Sequence, residues 1–547
     1  MDRLVAALER HRESGIVGAA AAVVVGDEVA WWGGVGSLDH DRDEPVTVTT
    51  SFPIQSVTKP LVAAALVQQM HAGAFALDDR VNRYLEPVRV TNPWEQSSPI
   101  TIRQLFTHTA GLPATFASGG APTLEEAVAT EIGAAVEPGT AMVYANTGYD
   151  ALGYLLQRVT GSDWDVAVRD IVLSPLGMHA TGAGDARADA RHRATGHIWS
   201  AAEGRTVTVM GVPSAYAAPS GSMVSNVEDL ARFLVAMLNE GGGVLAAEAV
   251  ASMQRLHAPL GSGFGGMGLG LRVDHRRERR FFCHGGDGAG FTAFVGGHPG
   301  ERVGVVLLMN TGGADVARSN LVRVALECVL DGTGRTAYAT AAASSPRASR
   351  YRSTFWNVRA EVTVGDGMPE LTVPAGTISF DEGVSRLAPA GSRWFADGGV
   401  FDGWELEFAS DSDGRPCFSG GVYPYLFRAD DTPIIGLPHN VDTTADVGGA
   451  WVGTADTPFG PLPLGVEVDA GARRVTVDIM GMTEADTAAD ADGGWVRGEV
   501  PFDVPGVGPI TVFVRLGVIG GRLEGLLYAR TQFGEFGIPT TLSRSTG

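Results

Sequence analysis

At 547 residues the chain is longer than one ordinary core, since domains usually run to roughly 100–200 residues, so two or three domains are expected. Apolar residues make up 44% of it and charged residues 19%, a globular balance that excludes disorder as the bulk state. The formal net charge of -21 repels phosphate backbones and anionic membrane surfaces, which argues against both as partners.

Residues 2–14 read as a helix. The apolar run IVGAAAAVVV then turns at Gly26-Asp27 into EVAWWGGVG, predicting a hairpin over 16–35. From about 53 to 260 the apolar spacing is mainly helical, with segments near 57–71, 101–108, 122–135, 147–160, 163–173 and 226–239. Ser225 and Glu228 before DLARFLVAML read as a capping box. Strand patterns return in LGLRV, RRFFCH, GFTAFVGG and RVGVVLLMN, and a helix is expected near 314–331. Strands at both ends with helices between imply an α/β domain over 1–335, its sheet closed by distant segments.

Residues 336–350 are small, polar and aperiodic, as an interdomain linker is. Beyond them come short alternating stretches with Gly, Asp and Pro turns, which predict antiparallel β barrels or sandwiches. A break at PHNVDTTADVGG divides this part into β-barrel-like domains over 351–440 and 441–547. The start of the chain lacks the apolar stretch of a signal peptide, and no apolar run approaches the roughly 18 residues of a membrane span. A cytoplasmic location is therefore expected. Cys283, Cys328 and Cys417 are scattered and odd in number, so neither a disulfide framework nor a zinc pattern is expected. The acidic runs DHDRDE and DTAADAD read as solvated loops rather than calcium sites, leaving no metal and no cofactor expected.

Chemistry enters at Ser56-Val-Thr-Lys59, followed by PLVAAALVQQM, which predicts a buried helix. Lys59 is the only lysine, 40 of the 41 basic residues being arginine. Serine and lysine at i and i+3 share a helix face, so the amine can reach the hydroxyl. Burial favours the neutral amine, which can take the serine proton, whereas a guanidinium stays protonated. That spacing alone is common and would otherwise read as a helix cap beside a surface lysine. Tyr144-Ala-Asn146 falls where a loop enters the next helix; a phenol beside the lysine can relay protons, and an amide can fix both lysine and substrate. Alone it reads as an N-capping Asn with a packing Tyr. His284-Gly285-Gly286 interrupts a strand, where glycines let a substrate lie along the edge and backbone N–H groups there and at Ser56 can form an oxyanion hole. Cys283 is excluded as a nucleophile working with His284, because strand neighbours face opposite sides.

Ser-x-x-Lys, Tyr-x-Asn and His-x-Gly in this order inside one α/β region resemble the serine β-lactamase and penicillin-binding-protein superfamily in its class C β-lactamase-like branch. TIRQLFTHTAGLP at 101–113 and MVSNVEDLARFL at 223–234 are similar to it as well. The resemblance covers about residues 10–335. It implies a β-lactamase-like domain with an antiparallel sheet and a helical subdomain. It also implies Ser56 as the acylated nucleophile, Lys59 and Tyr144 as its base system, and Asn146, His284 and Gly286 as substrate-binding groups. The backbone amides of Ser56 and Asp287 would form the oxyanion hole. Which of Lys59 and Tyr144 is the base stays open.

His-Gly-Gly stands where β-lactamases carry Lys-Thr-Gly, exchanging a permanent cation for a group mostly neutral at pH 7, which argues against β-lactam hydrolysis. Members of the superfamily with His there include D-aminopeptidases, esterases and some carboxypeptidases. Two β portions after the catalytic domain, barrel or lipocalin-like, resemble the D-stereospecific aminopeptidase in architecture. The resemblance thus implies acyl transfer from an amide or ester of a small or D-configured amino acid or peptide to water. Alternatives are a carboxylesterase and a transacylase or peptide-cyclising thioesterase, followed by a β-lactamase, a DD-carboxypeptidase and a non-catalytic binding protein. A small-molecule or short-peptide substrate is the expected partner, with no nucleic acid, no membrane, and a homodimer permitted. No Gly-x-Ser-x-Gly occurs, so an α/β-hydrolase elbow is excluded.

Overall fold

A computed structural model describes residues 1–112, 121–130, 132–140, 142–184, 192–200, 203, 205–209, 217–259, 265–276, 279–288, 290–330, 346–353, 359–364, 368–373, 383–390, 393–397, 405–410, 416–420, 425–429, 441–457, 460–479, 481–486, 488–504, 508–531 and 534–545. The chain divides into two compact units, one of Met1–His197 with Thr208–Arg335, the other chiefly Thr336–Val504 with Gly508–Gly547 and the short stretch Ile198–Val207. Of the linker expected at 336–350, residues 336–345 lie outside the described residues.

The first unit is organised on a nine-stranded antiparallel sheet, in the order 42–45, 28–39, 18–25, 303–309, 291–298, 279–288, 272–276, 266–267, 258–259. Strand Gly18–Val25 sits between Glu28–Asp39 and Val303–Met309, pairing Ala19 with Met309 and Val25 with Val303. Its run IVGAAAAVVV does not alternate, because both faces are covered. Ala20, Ala22 and Val24 join the main core, while Ala19, Ala21 and Val23 are buried without belonging to it. The hairpin turns at Gly26-Asp27 as expected, with Gly26 at φ 67 in the left-handed region.

Helix Thr58–His71 is buried at every residue from Thr58 to Val67, the condition that an all-apolar helix sequence demands. Its lack of a polar face is what makes the single lysine conspicuous. The region expected to be helical over 163–173 is an α-turn, Trp164–Val168, running into a π-helix, Arg169–Leu173. Helix Ala247–Met253 was not anticipated. The cap of helix Val227–Leu238 also differs from expectation. Asn226, not Ser225, is the N-cap, and its side chain accepts from the Asp229 N–H at 2.8 Å. Ser225 cannot serve, because it ends a strand paired with Phe52 and its hydroxyl meets that of Thr181 at 2.8 Å. Among the described residues no helix is long and apolar enough to cross a membrane.

The second unit is β-rich. Eight strands between Ser349 and Ala429 form a closed barrel in sequence order, the first, Ser349–Ser353, pairing with the last, Tyr425–Ala429. From Gly449 to Arg544 nine strands form a second antiparallel sheet. Trp451, Val466, Val477, Val514, Leu516 and Leu527 are among its fully buried core residues. Among the described residues this sheet has no closed ladder. Its edge strand Met482–Asp486 lies against Trp495–Val504, so the sheet curls into a half-barrel.

Candidate active site

Ser56 is not in the first turn of the helix, as its spacing to Lys59 suggested, but in a 3-10 turn, Gln55–Val57, that runs into the helix at Thr58. Gln55 has φ 49, a left-handed conformation that non-glycine residues seldom adopt and that is often met beside a functional group. Strand Met223–Ser225 holds the turn from both sides. The Ile54 N–H donates to the Met223 carbonyl at 3.0 Å, and the Met223 N–H donates to Thr58 Oγ1 at 3.1 Å. Ser56 itself is half-buried and so remains open to a substrate.

Lys59 is fully buried, and its Nζ faces three oxygens: Ser56 Oγ at 2.9 Å, Asn146 Oδ1 at 2.8 Å and the Ser220 carbonyl at 2.7 Å. Two of these, the amide oxygen and the carbonyl, can only accept. A neutral amine has two N–H bonds and one lone pair, so with both N–H bonds directed to the pure acceptors the lone pair faces Ser56. The serine hydroxyl then donates to the amine. Burial lowers the lysine pKa from 10.5 to about 7, opposed by the negative charge of Asp150. Near neutral pH the amine is thus available as a base.

Asp150 was not singled out from the sequence. It lies one helix turn after Asn146 on helix Asn146–Thr160, is buried, and its Oδ1 accepts from the Ser220 N–H at 3.2 Å. It therefore fixes the carbonyl that Lys59 uses. Its one signal was an acidic residue four positions after Asn146 on an otherwise apolar helix face.

Tyr144 is half-buried, and the Lys59 Nζ lies 4.9 Å from its ring centroid. The ring stacks on His108 at 4.2 Å with an interplanar angle of 27°. His108, also missed, clamps the tyrosine's segment: its carbonyl accepts from the Val143 N–H at 2.8 Å, and its Nδ1 accepts from the Ala145 N–H at 3.1 Å. Burial, with Lys59 and His284 nearby, keeps His108 well below the usual histidine range, hence neutral. Its sequence mark was only its place in TIRQLFTHTAGLP.

His284 and Cys283 lie on strand Arg279–Gly288 and both are fully buried, so Cys283 is no exposed nucleophile. Burial, then the charge of Lys59, lowers the His284 pKa to about 3, and its Nδ1 is 2.7 Å from the Gly285 carbonyl. The neutral ring lies 6.4 Å from that of Tyr144. A Cβ on Gly286 would stand 2.2 Å from the Ile54 carbonyl oxygen, so only glycine lets this strand approach the turn that carries Ser56. The Asp287 carboxylate is taken up by Arg318, whose NH1 lies 2.8 Å from both oxygens. Ser56, Lys59, Tyr144, Asn146 and His284 are thus gathered around one amine, with Gly286 against its nucleophile turn. The whole can deprotonate a serine beside a glycine edge.

The acidic run DHDRDE is not wholly a solvated loop. Asp39 ends strand Glu28–Asp39, and with His40 it meets the buried His197, three side chains of metal-ligating type within 4.8 Å of one another. No local pattern hints at this, because 157 residues separate His40 from His197.

Residues 1–327 match the family model described as Beta-lactamase. Protein flp of Staphylococcus aureus (strain MW2) is 26% identical over 306 residues, covering 54% of this chain and 60% of that protein. The chain thus spans about 60% of the length of this curated relative. The octameric penicillin-binding protein homologue from Pyrococcus abyssi shares the fold with a TM-score of 0.55 at 20% identity, covering 77% of this chain and 99% of the other. D-amino acid amidase from Ochrobactrum anthropi SV3, complexed with L-phenylalanine, has a TM-score of 0.51 at 24% identity, covering 61% and 99%.

Proposed function

This chain belongs to the β-lactamase family of serine hydrolases, and we propose that it hydrolyses an amide or ester of a small or D-configured amino acid or peptide through an acyl-enzyme on Ser56. The observation that carries the reading is the Lys59 amine, buried, poised near pH 7 and facing Ser56 Oγ at 2.9 Å. Lys59 takes the serine proton as Oγ attacks the substrate carbonyl carbon. The Ser56 and Asp287 backbone N–H groups receive the oxyanion. Tyr144 passes the proton from Lys59 to the leaving amine or alkoxide as the tetrahedral intermediate collapses to the acyl-enzyme, and water then reverses the sequence. Asn146 holds the amine and one edge of the substrate.

Substrate choice rests on His284. A neutral, buried imidazole offers no permanent cation to a substrate carboxylate, which disfavours β-lactams and C-terminal carboxylates as substrates. Uncharged amides and esters fit better, and the amidase that shares the fold makes amino acid amides the first to try.

Intact-mass spectra after fluorophosphonate treatment are expected to show one adduct on the wild type and none on Ser56→Ala; equal labelling of both sinks the mechanism. Rates on D-Ala and L-Ala p-nitroanilides, p-nitrophenyl butyrate, a peptidyl thioester and a chromogenic cephalosporin then assign the substrate. D-amide turnover above that of the cephalosporin is expected. Fast ester turnover without D-amide turnover would replace the amidase reading with a carboxylesterase.

A further inference from the structure

Away from Ser56, the turn between strands Glu28–Asp39 and Arg42–Pro45 brings Asp39 and His40 to His197. The hydrogen-bonding roles of the two imidazoles follow from their outer nitrogens. His197 Nδ1 lies 3.1 Å from the Asn310 carbonyl, which can only accept, so Nδ1 carries the proton and Nε2 presents a lone pair. His40 Nε2 lies 3.3 Å from Asp41 Oδ1, also an acceptor, and with the ring proton on that side His40 Nδ1 presents a lone pair. Both lone pairs are directed toward Asp39, whose Oδ1 is 3.5 Å from His197 Nε2 and 3.5 Å from His40 Nδ1.

Three atoms of ligand type therefore converge, and the Asp39 carboxylate also takes a side-chain hydrogen bond from Thr195. The Asp41 and His40 backbone N–H groups reach in at 3.1 and 3.4 Å, on Asp39 Oδ1 and His197 Nε2, and Arg42 approaches the other oxygen, Asp39 Oδ2, at 3.7 Å. Neither satisfies the facing lone pairs together; one small cation would. The spacing also has the right size. With metal–ligand bonds of about 2.0–2.1 Å, neighbouring ligand atoms of a tetrahedral site stand about 3.4 Å apart, close to both observed distances. The rings meet edge-on, centroids 4.9 Å apart at 86°, and rotation of the partly exposed His40 closes the third edge. Each imidazole has its second nitrogen held by a carboxylate or a backbone carbonyl, the outer arrangement that metal-bound histidines usually have.

We propose that Asp39, His40 and His197 bind one first-row divalent transition ion of the zinc class, with solvent completing its shell. Two imidazoles and a carboxylate select such an ion over calcium or magnesium, which prefer oxygen. The ion pins the hairpin turn to the segment at His197 and takes no part at Ser56. His40, at the exposed turn, gives it a way in.

The test is calorimetric titration of the full-length, chelator-stripped protein with Zn(II) at pH 7.5. One equivalent should bind with a micromolar or tighter Kd, and the melting temperature should rise. His40→Ala and Asp39→Asn should weaken that site by about 100-fold or more, and Asp41→Ala, which frees an outer nitrogen, by about 10-fold. Co(II) should give intense visible bands in the wild type and lose them in His40→Ala. Activity at Ser56 should stay unchanged with and without metal. Equal Zn(II) affinity in the wild type and His40→Ala, or wild-type binding only at millimolar Zn(II), overturns the proposal. His40, Asp39 and Asp41 lie at a turn, and thermal melts of the metal-free variants separate lost binding from lost folding.

Discussion

Two polar clusters in the first unit have the same shape and opposite contents. Around Lys59, three oxygens converge on an amine that the chain itself supplies, at 2.7–2.9 Å. Around Asp39, two imidazole nitrogens face one carboxylate oxygen at 3.5 Å, and a Thr195 side-chain hydrogen bond also reaches that carboxylate. In the first case the central group is covalently attached and buried, so its own pKa becomes the adjustable quantity. In the second it has to come from solution. On the readings proposed above, the first arrangement makes a base and the second a binding site.

Replacing the donor tests that contrast most strongly. Lys59→Arg keeps a cation among the three oxygens but removes a base, since guanidinium does not deprotonate in proteins. A loss of about 10³-fold in kcat/KM is expected, within the range for general base catalysis. Activity within tenfold of wild type would show that the amine only fills space. Tyr144→Phe should cost about 10²-fold if the phenol relays the leaving-group proton, with less loss on p-nitrophenyl esters, whose leaving group needs no proton.

Geometry comes next. Gly286→Ala would press a Cβ to 2.2 Å from the Ile54 carbonyl oxygen and shift the turn bearing Ser56. A displacement near 1 Å is expected to cost about 10²-fold in rate. Zn(II) binding in that variant should be unaffected. Gly300→Ala, where an added Cβ meets nothing within 4 Å, is the neutral comparison, assayed in parallel. The smallest effect concerns the second cluster. His40→Ala in metal-free protein removes one of three facing acceptors from an exposed turn, so its unfolding free energy should stay within about 0.5 kcal/mol of wild type. A larger loss by denaturant unfolding would mean that the cluster is already satisfied without an ion.

Much of the cluster around Lys59 was legible because it breaks local rules. A lysine on a helix without a polar face, and glycines next to a histidine inside a strand, are residues that packing alone does not ask for. The hairpin at Gly26-Asp27 was legible for the opposite reason, since turn and strand signals agree there. What stayed hidden depends on distant pairing. Asp150 acts through the backbone of Ser220, and His108 holds Tyr144 from another segment. Asp39 meets His197 only once the sheet has formed. The cap fell at Asn226 rather than Ser225 because pairing with Phe52 had already claimed the serine for a strand. The half-barrel curl of the second β portion is likewise set by which edges approach, which alternation along single strands does not encode.

The central claim is that a neutral Lys59 activates Ser56, and the pH dependence of the rate at which a fluorophosphonate labels Ser56 tests it most directly. Protonated lysine has no lone pair for the serine, so the rate should rise with pH through an apparent pKa of about 7 and then level. Asp150 holds that pKa up, so in Asp150→Asn, which keeps an acceptor for the Ser220 N–H, the rise should move to lower pH. A wild-type rise centred near 10, where an ordinary lysine deprotonates, or a rate independent of pH between 5 and 9, would contradict the account.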